Sequence, residues 1–327
     1  MSRSSGTQRN VQPAEQLAKR RRCSSDQRER AGVDNRVLAV GTHSSPAPRQ
    51  SYTGSVNGEP PEYQVLQVKT LFHPANVYRN GDVIVRDAGP WAPTVHALLR
   101  HLEAVGFDGA PRVVGTGFDD QGRETLSYIA GDFVGRGPWS LEGATGVGQL
   151  LRRMHRATAS FEAPPDAVWY PLFSRVLGGA TQVIGHGDVA PWNIVAHVGI
   201  PVAFIDWDRA GPIDPLVELA QACWLNAKLH DDIVAAREGL PPLAERARHL
   251  RAILDGYGLA APERRTMVQR MIELAVHSVV EEVDDAGVTH ETRSEDVAPE
   301  LLWAVAWKSR GATWMMRHRR DLENALV

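Results

Sequence analysis

Three polar side chains in the middle of the chain have the types and the spacing that phosphoryl transfer requires. Asn193 follows Asp188 by five residues, and Asp206 follows Asn193 by thirteen. Such a reaction needs one group that takes the proton of the attacking hydroxyl and further groups that hold Mg²⁺ on the nucleotide phosphates. Because the bond changes need little covalent help, the placement of charge supplies most of the catalysis.

The oxygen chemistry of these side chains suggests a role for each of them. Magnesium takes hard oxygen ligands in octahedral geometry, and several of these usually come from water and phosphate. Asn193 and Asp206 meet that description, which leaves Asp188 to orient the substrate hydroxyl and to accept its proton. A single Asp or Asn in a loop is more often a turn residue. The order and spacing of all three favour the functional interpretation.

The segments between these residues predict a hairpin that brings the two metal ligands together. Residues 194–196 and 202–205 are short β-rich runs, and residues 197–201 connect them. An antiparallel hairpin returns Asn193 to the side of Asp206, although the two are distant in sequence. The sequence therefore predicts that two oxygen ligands meet at one point.

Residues 61–131 predict a small lobe of strands around one helix. Asn80-Gly81, between two β-rich runs, is a strong hairpin signal. Apolar residues at helical spacing predict a helix from Val95 to Val105, with Thr94 as its N-cap and Gly106 as its stop. The predicted strands cover residues 63–71, 76–79, 83–86, 111–115 and 124–129.

The pattern becomes mainly helical after this small lobe. Asp214 is the expected N-cap of one helix, with Pro215 at its first helical position. We expect residues 132–327 to form a larger, mainly helical lobe. The apolar faces of its helices are predicted at residues 147–154, 216–227, 268–279 and 303–314.

Composition places few limits on function. The chain has 327 residues, of which 43% are hydrophobic and 23% charged, as in an ordinary soluble protein. Its two cysteines, Cys23 and Cys223, form no disulfide framework. The N-terminus lacks the apolar core of a signal peptide, and no apolar run reaches the roughly 18 residues of a membrane helix. We therefore expect a cytoplasmic protein without a membrane partner.

The first 60 residues differ in composition from the rest. They carry ten Lys and Arg against five Asp and Glu, so their net charge is +5 and that of the remainder is -8. With few large apolar residues, this segment is expected to be mostly disordered. The basic run Lys19–Arg22 could contact nucleic acid, although a solvated tail is the simpler interpretation.

The motif His186-Gly187-Asp188-x-x-x-x-Asn193, followed by Ile205-Asp206-Trp207-Asp208, resembles the aminoglycoside phosphotransferase family. That family belongs to the protein-kinase-like superfamily, with the choline, homoserine and fructosamine kinases. The resemblance covers roughly residues 76–325 and implies a two-lobed α+β fold with ATP between the lobes. It specifies the superfamily and leaves the acceptor open between an aminoglycoside and an amino alcohol or sugar metabolite.

The resemblance also implies roles for single residues. Asp188 is expected to be the catalytic base, with Asn193 and Asp206 as magnesium ligands. His186 is expected to brace the loop, and Asp208 to assist at the metal or to hold the loop. The hinge, whose backbone groups receive the adenine of ATP, would consist of Ser127, Tyr128 and Ile129.

The nucleotide-binding half departs from the family pattern. A strand lysine normally pairs with the α- and β-phosphates and with a helix glutamate. Here the strand ends in Arg86, a planar fork rather than a point charge. The following helix has no acid in its first two turns, Glu103 lies near its end, and either His96 or His101 is a candidate for a neighbouring role.

Two functional hypotheses follow. The first is a Mg²⁺-dependent enzyme that transfers the γ-phosphate of ATP to a hydroxyl group of a small molecule. The alternative is a nucleotide-binding or regulatory kinase-like protein that has lost turnover, which the departures around Arg86 motivate. Whether ATP or GTP is used stays open.

Two other groups of side chains have ligand or charge types that could serve a function. The acidic run at residues 281–285 could line a polycation site, although a solvated helix end is the simpler interpretation. A hydrolase metal site would leave Asn193 and the hairpin spacing without a role. Its ligand types occur in His186, Asp188, His197, Asp206 and Asp208.

Overall fold

The computed structural model of the protein describes residues 63–67, 76–135, 137–179 and 182–326. The predicted tail of residues 1–60, including its basic run, lies outside the described residues. Within the described ranges, no helix is both long enough and apolar enough to span a membrane.

An antiparallel five-stranded sheet forms the first part of the fold. Its strands lie in the spatial order β1-β2-β3-β5-β4, so β3 and β5 are central neighbours. Alternate residues of β5, Glu124 and Leu126, are buried, as the two-residue period of a strand requires. The strands are β1 (Gln64–Gln67), β2 (Val77–Asn80), β3 (Val83–Arg86), β4 (Val113–Phe118) and β5 (Glu124–Ser127).

The predicted hairpin between β2 and β3 is confirmed, but its turn lies one residue later than expected. Asn80 still pairs with Val83, and the turn consists of Gly81 and Asp82. Gly81 has φ 59°, a left-handed conformation that glycine adopts without steric cost, so Asn80 can remain in the ladder. Of the strand predicted at residues 63–71, the part after Gln67 lies outside the described residues.

The first helix begins earlier than predicted. Helix α1 spans Ala92–Ala104, and its N-cap is Trp91, not Thr94. Pro93 suits the first turn, where its missing N–H removes no hydrogen bond. Thr94 lies inside this turn and its hydroxyl accepts a hydrogen bond from the Val168 amide at 2.9 Å. Of the predicted apolar residues, Val95, Leu98, Leu99 and Leu102 are buried, whereas Val105, which follows the last helical residue, is exposed.

The second part of the fold is mainly helical. The predicted N-cap is confirmed, since the Asp214 carboxylate accepts from the Leu216 amide at 2.7 Å. Two short strand pairs lie among the helices, β6 (Val183–Gly185) with β9 (Gly211–Ile213), and β7 (Ile194–His197) with β8 (Ile200–Phe204). The helices are α2 (Leu141–Thr158), α3 (Pro215–Asn226), α4 (Asp232–Glu238), α5 (Leu243–Tyr257), α6 (Ala261–Arg264), α7 (Met267–Asp285), α8 (Pro299–Arg317) and α9 (Arg319–Ala325).

A continuous apolar core connects the sheet side with the helical part. Leu98 of α1, Leu151 of α2, Phe204 of β8 and Leu250 of α5 all belong to it, and none of these four is solvent-exposed. Each such side chain contributes about 2 kcal/mol relative to an exposed one. The core therefore fixes the position of α1 and the sheet relative to the helices. The candidate site lies where these two parts of the fold meet.

Two strand pairs close the loop that carries the motif. β6 ends directly before His186, and β9 begins two residues after Arg209, with Gly185 opposite Gly211. Inside this frame, β7 and β8 are joined by Val198 and Gly199, whose φ angles are 51° and 76°. The predicted five-residue connection at 197–201 is thus shorter, because a tight turn with two positive φ angles extends the ladder at both ends.

Candidate functional site

Asp188 and Asn193 are joined directly within the loop between β6 and β7. The amide nitrogen of the Asn193 side chain donates to the carbonyl and to the Oδ2 atom of Asp188, both at 3.0 Å. Asn193 is buried, while Asp188 is half-buried. Because the nitrogen of the carboxamide is committed to Asp188, its oxygen remains available as a ligand.

The hairpin brings Asp206 to the same point. The Ile205 amide donates to the Asn193 carbonyl at 2.9 Å, so the residue before Asp206 is tied to Asn193. Asp206 itself has φ 63° and ψ 66°, a left-handed conformation that costs a non-glycine residue about 1 kcal/mol. This conformation ends the strand and leaves the carboxylate 51% exposed.

The side chains at this point suit a magnesium ion. Asn193 offers its carboxamide oxygen, and Asp206 offers Oδ2, since its Oδ1 accepts from Arg86. These are hard oxygen donors, and an octahedral ion completed by phosphate and water would need only a few of them. In the described part of the chain, no group of three or more His, Cys, Asp or Glu residues is placed to hold a metal ion.

The two histidines of the hydrolase alternative are bonded elsewhere. His197 donates from Nε2 to the Ala130 carbonyl at 2.7 Å. His186 donates from Nε2 to the Ile205 carbonyl at 2.9 Å, and its Nδ1 accepts from the Asp188 amide at 3.2 Å. Fully buried, His186 joins the start of the loop to the end of β8, which is the geometry of a bracing residue.

A second brace comes from α3 and involves Glu218, which sequence reasoning missed. The Gly187 amide donates to Glu218 Oε1 at 2.6 Å, and His155 Nε2 donates to Glu218 Oε2 at 2.6 Å. One turn later on the same helix, Gln221 accepts from the Val189 amide at 2.8 Å. Burial alone would raise the pKa of Glu218, but His155 and the Gly187 amide, together with His186, outweigh it and lower the pKa. In the sequence, Glu218 could have been identified as an acid inside an apolar helical stretch.

The environment of Asp188 suits a proton acceptor. Burial raises the pKa of its carboxyl above the ordinary aspartate value, and the negative charge of Asp206 adds to the rise. The positive charge of Arg209 opposes the rise, as does the hydrogen bond from Asn193. A carboxylate with a raised pKa binds a proton more readily at neutral pH, as a general base must.

The acidic run on α7, at residues 281–285, lies beside this loop. Glu281 and Asp285 of this run contact other side chains and are not simply surrounded by solvent. Glu281 Oε1 lies 3.4 Å from Nη1 of Arg209, whose guanidinium lies over the Tyr170 ring, 5.1 Å from its centroid. The Tyr170 hydroxyl donates to Asp285 at 3.4 Å. Helix α7 therefore anchors the arginine that faces the predicted base.

Arg86, at the end of β3, connects the sheet to the motif. Its Nη1 donates to Asp206 Oδ1 at 2.7 Å and its Nη2 to Asp208 Oδ1 at 2.6 Å, while Nε donates to Glu124. Only 6% of Arg86 is exposed. Burial alone would lower the pKa of Arg86, but the three carboxylates outweigh it and hold the guanidinium charged. Burial also raises the pKa of Asp208 to about 6, although Arg86 opposes the rise.

The acid that pairs with Arg86 comes from a strand and not from the helix. Glu124 lies opposite Arg86 in the β3–β5 ladder, and its other oxygen accepts from His96 Nε2 at 2.8 Å. His101, the other candidate, instead bonds the Ala157 carbonyl at 3.0 Å. Sequence reasoning missed Glu124, although an acid at an inward-facing strand position was a visible signal.

The predicted hinge leaves the sheet after Ser127. The amides of Ser127 and Tyr128 donate to the carbonyls of Arg112 and Asp82, at 2.8 and 2.7 Å. Of the three predicted hinge residues, only Ile129 has an amide with no hydrogen bond to another described residue. The following segment pairs with β7 through Asp132 and Ala196, so the hinge lies next to the strand that follows Asn193.

Comparison with known proteins agrees with this geometry. The profile of a family described as the phosphotransferase enzyme family, APH, matches residues 166–265, which include the loop and the β7–β8 hairpin. The trifolitoxin immunity protein of Rhizobium leguminosarum bv. trifolii is 53% identical over 251 residues, which make up 77% of this chain and 95% of that protein.

Solved kinase structures share the fold. A choline/ethanolamine kinase family protein from Mesorhizobium loti is 16% identical with a TM-score of 0.53, covering 81% of this chain and 92% of the other. An amicoumacin kinase in complex with AMP-PNP and Ca²⁺ is 14% identical with a TM-score of 0.54, covering 81% and 89%. At these identities the likeness concerns the fold alone. The predicted two-lobed, protein-kinase-like α+β fold is confirmed, while the exact boundary at residue 131 stays a prediction.

Proposed function

We propose that this chain, which belongs to the phosphotransferase enzyme (APH) family, is a kinase that moves the γ-phosphate of ATP to a hydroxyl group of a small molecule. One observation carries the proposal. The β7–β8 hairpin brings Asn193 and Asp206 together, and Asn193 is bonded to Asp188. These contacts support the assignment of Asp188 as proton acceptor and of Asn193 and Asp206 as oxygen ligands, which is the placement of charge that phosphoryl transfer needs.

In this proposal each residue has a defined task. Asp188 orients the acceptor hydroxyl and takes its proton, while Asn193 holds the carboxylate by its side-chain bond. Asn193 Oδ1 and Asp206 Oδ2 would hold Mg²⁺, which when bound offsets the charge of the nucleotide phosphates. His186 and Glu218 keep the loop in place through its own backbone amides.

The nucleotide contacts are proposed for the sheet side of the site. The adenine would lie against the hinge, with the Ile129 amide as donor, because the Ser127 and Tyr128 amides are already bonded. Arg86 would contact the phosphates, since it lies beside Asp206. ATP is the proposed donor. The cytoplasm, which supplies ATP and Mg²⁺, is the proposed location.

The acceptor is proposed from the relative that is 53% identical. Because that protein is a trifolitoxin immunity protein, we propose that this chain phosphorylates a toxic compound and thereby inactivates it. Other small hydroxylated acceptors, such as an aminoglycoside, an amino alcohol or a sugar, remain competitors.

Transfer of ³²P from [γ-³²P]ATP tests the proposal directly. Purified protein is incubated with Mg²⁺ and, separately, with trifolitoxin, an aminoglycoside mixture, choline and a set of sugars. We expect one acceptor to be labelled by the wild type and not by Asp188→Asn. Asp120→Asn, in an exposed turn, is the matched control and should label normally. Absence of labelling with every acceptor, or equal labelling by Asp188→Asn, would contradict the proposal.

A second function is favoured by the contacts of Arg86. Because Arg86 bonds both Asp206 and Asp208, the site also suits a protein that binds nucleotide or toxin without turnover. Protection of trifolitoxin-sensitive cells distinguishes the two. If Asp188→Asn protects as well as the wild type at equal protein level, binding rather than phosphorylation provides immunity.

A further inference from the structure

We infer that Glu124 and His96 position Arg86 for the nucleotide phosphates, so that the ion pair of this site is built inside the sheet. The inference rests on the proposed function, because Arg86 needs a phosphate to contact. It adds two positioning residues that the phosphotransfer motif does not contain.

The register of the central strands places Glu124 beside Arg86. Arg86 and Glu124 are direct partners in the antiparallel β3–β5 ladder, so their side chains leave the same face of the sheet. Nε of Arg86 donates to Glu124, of which only 1% is exposed. Backbone register keeps these two residues opposite each other as long as the ladder is closed. A pair between a strand and a helix could separate whenever the helix shifts.

Helix α1 holds Glu124 from the other side, through His96. His96 is 1% exposed and donates to the Glu124 oxygen that Arg86 does not use. The neighbouring strand β4 makes room for it, since a β-carbon at Gly117 would lie 2.4 Å from His96 Nδ1. The Phe118 ring packs on the imidazole, 4.8 Å between centroids. The surrounding structure thus holds the imidazole where it orients Glu124.

Arg86 has more N–H donors than its three carboxylate partners use. A guanidinium has one N–H on Nε and two on each Nη. Glu124 takes the Nε donor, and Asp206 and Asp208 each take one Nη donor. Among the described residues no hydrogen bond uses the second N–H of either Nη, and these are the two donors that we assign to phosphate oxygens. Glu124 therefore holds the Nε side of the guanidinium, and Asp206 and Asp208 hold its two Nη atoms.

This arrangement predicts a selective effect. Removal of the Glu124 charge releases the Nε end of the fork, so the two remaining N–H groups lose their direction. Phosphate binding should weaken, whereas adenine binding at the hinge should not, because Ser127 and Tyr128 are held by separate backbone bonds. General damage to the lobe would weaken both.

Calorimetric titration of the full-length protein with ATP, ADP and adenosine, in the presence of Mg²⁺, tests the inference. We expect Glu124→Gln to raise the Kd for ATP and ADP by about tenfold or more, with the Kd for adenosine unchanged. His96→Gln should act in the same direction and less strongly. The double variant should lose little more ATP affinity than Glu124→Gln alone, because both substitutions act through the Glu124 carboxylate.

The helix also provides matched controls. His101→Gln removes an imidazole of the same helix that bonds a carbonyl, and Glu103→Gln removes an exposed carboxylate. Neither should change the Kd for ATP. If Glu124→Gln does not fold, as judged by its near-UV circular dichroism, His96→Gln decides the result.

The outcomes separate this inference from the proposed function. Wild-type ATP affinity in folded Glu124→Gln, or equal losses for ATP and adenosine, would overturn the inference alone. A wild-type protein that binds ATP but labels no acceptor contradicts the proposed function, while the titrations still decide the role of Glu124. A wild-type protein that binds no nucleotide contradicts both.

Discussion

The two halves of the candidate site are assembled over very different distances in the sequence. In the motif half, Asn193 bonds Asp188 five residues away, and His186 bonds the Ile205 carbonyl nineteen residues away. In the sheet half, Arg86 bonds Glu124 at a separation of 38 residues and Asp206 at a separation of 120. The first half is one loop and hairpin, whereas the second exists only after strands, helix and loop have come together.

This difference separates the expected roles of the two halves. The motif half contains the predicted proton acceptor and metal ligands, so substitutions there should change the transfer step. The sheet half contains the predicted phosphate cation and its buried partners, so substitutions there should change nucleotide affinity first. A variant of the motif half that changes only nucleotide affinity, or one of the sheet half that changes only the transfer step, would contradict this separation of roles.

The largest effect is expected for Asp188→Ala. Without the base, the transfer rate should fall by about 10²–10⁴, because general base catalysis contributes about that factor. The Kd for ATP should be retained, since Arg86 and the hinge are untouched. Labelling rates together with calorimetry measure both quantities. A loss of less than tenfold would remove Asp188 as the base.

Arg86→Lys should have the next largest effect and should act mainly on nucleotide binding. A lysine has a single nitrogen and cannot reach Glu124, Asp206 and Asp208 at once, so at least one of these carboxylates loses its partner. We expect kcat/KM for ATP to fall by about 10–100-fold, mostly through KM. A fall confined to kcat would show that Arg86 acts in the transfer step, which would contradict its assignment to nucleotide binding.

Asn193→Ala tests the metal assignment within the motif half. The change removes one proposed oxygen ligand and the hydrogen bond to Asp188. The Mg²⁺ concentration for half-maximal transfer should rise by about tenfold or more. An unchanged magnesium titration would show that Asn193 is not a ligand.

A smaller effect is expected on the pH dependence of transfer, and it also comes from the motif half. Asp188 must be ionised to act as the base, and its raised pKa means that protonation begins at a higher pH. The activity should therefore be full at high pH and fall as the pH drops through a value above the ordinary 3.9 or so of aspartate. Arg209→Gln should move this fall to still higher pH, because Arg209 opposes the raised pKa. Movement to lower pH would contradict the assignment.

Thr94→Ala should have the smallest effect and lies in neither half. The hydroxyl of Thr94 bonds the Val168 amide and does not cap α1. Its loss should lower the free energy of unfolding by about 1 kcal/mol, with the Kd for ATP unchanged. Urea titration measures the stability. A clear loss of ATP affinity would show that α1 acts on the nucleotide through more than His96.

The sequence was informative wherever structure depends on local spacing. The apolar period of α1, the Asp214 cap and the β7–β8 hairpin all follow from residues close to one another, and all three are confirmed. The N-cap of α1 was misplaced because Pro93 starts the helix before the polar residue that would usually cap it.

Pairings across the sheet could not be predicted in the same way. The contact of Glu124 with Arg86 depends on which strands are neighbours and on their register, and neither is fixed by local pattern. Glu218 was missed for a similar reason, since its partners Gly187 and His155 lie on other elements. Both acids were nevertheless detectable as charges at positions that the pattern predicted to be buried.

A crystal structure of the complex with AMP-PNP and Mg²⁺ tests the central claim most directly. The account predicts Mg²⁺ about 2.1 Å from Asn193 Oδ1 and from a carboxylate oxygen of Asp206. It also predicts phosphate oxygens on the free N–H groups of Arg86, with Glu124 still bonded to its Nε. A metal held by Asp188 and Asp208 instead, or phosphates bound away from Arg86, would contradict it.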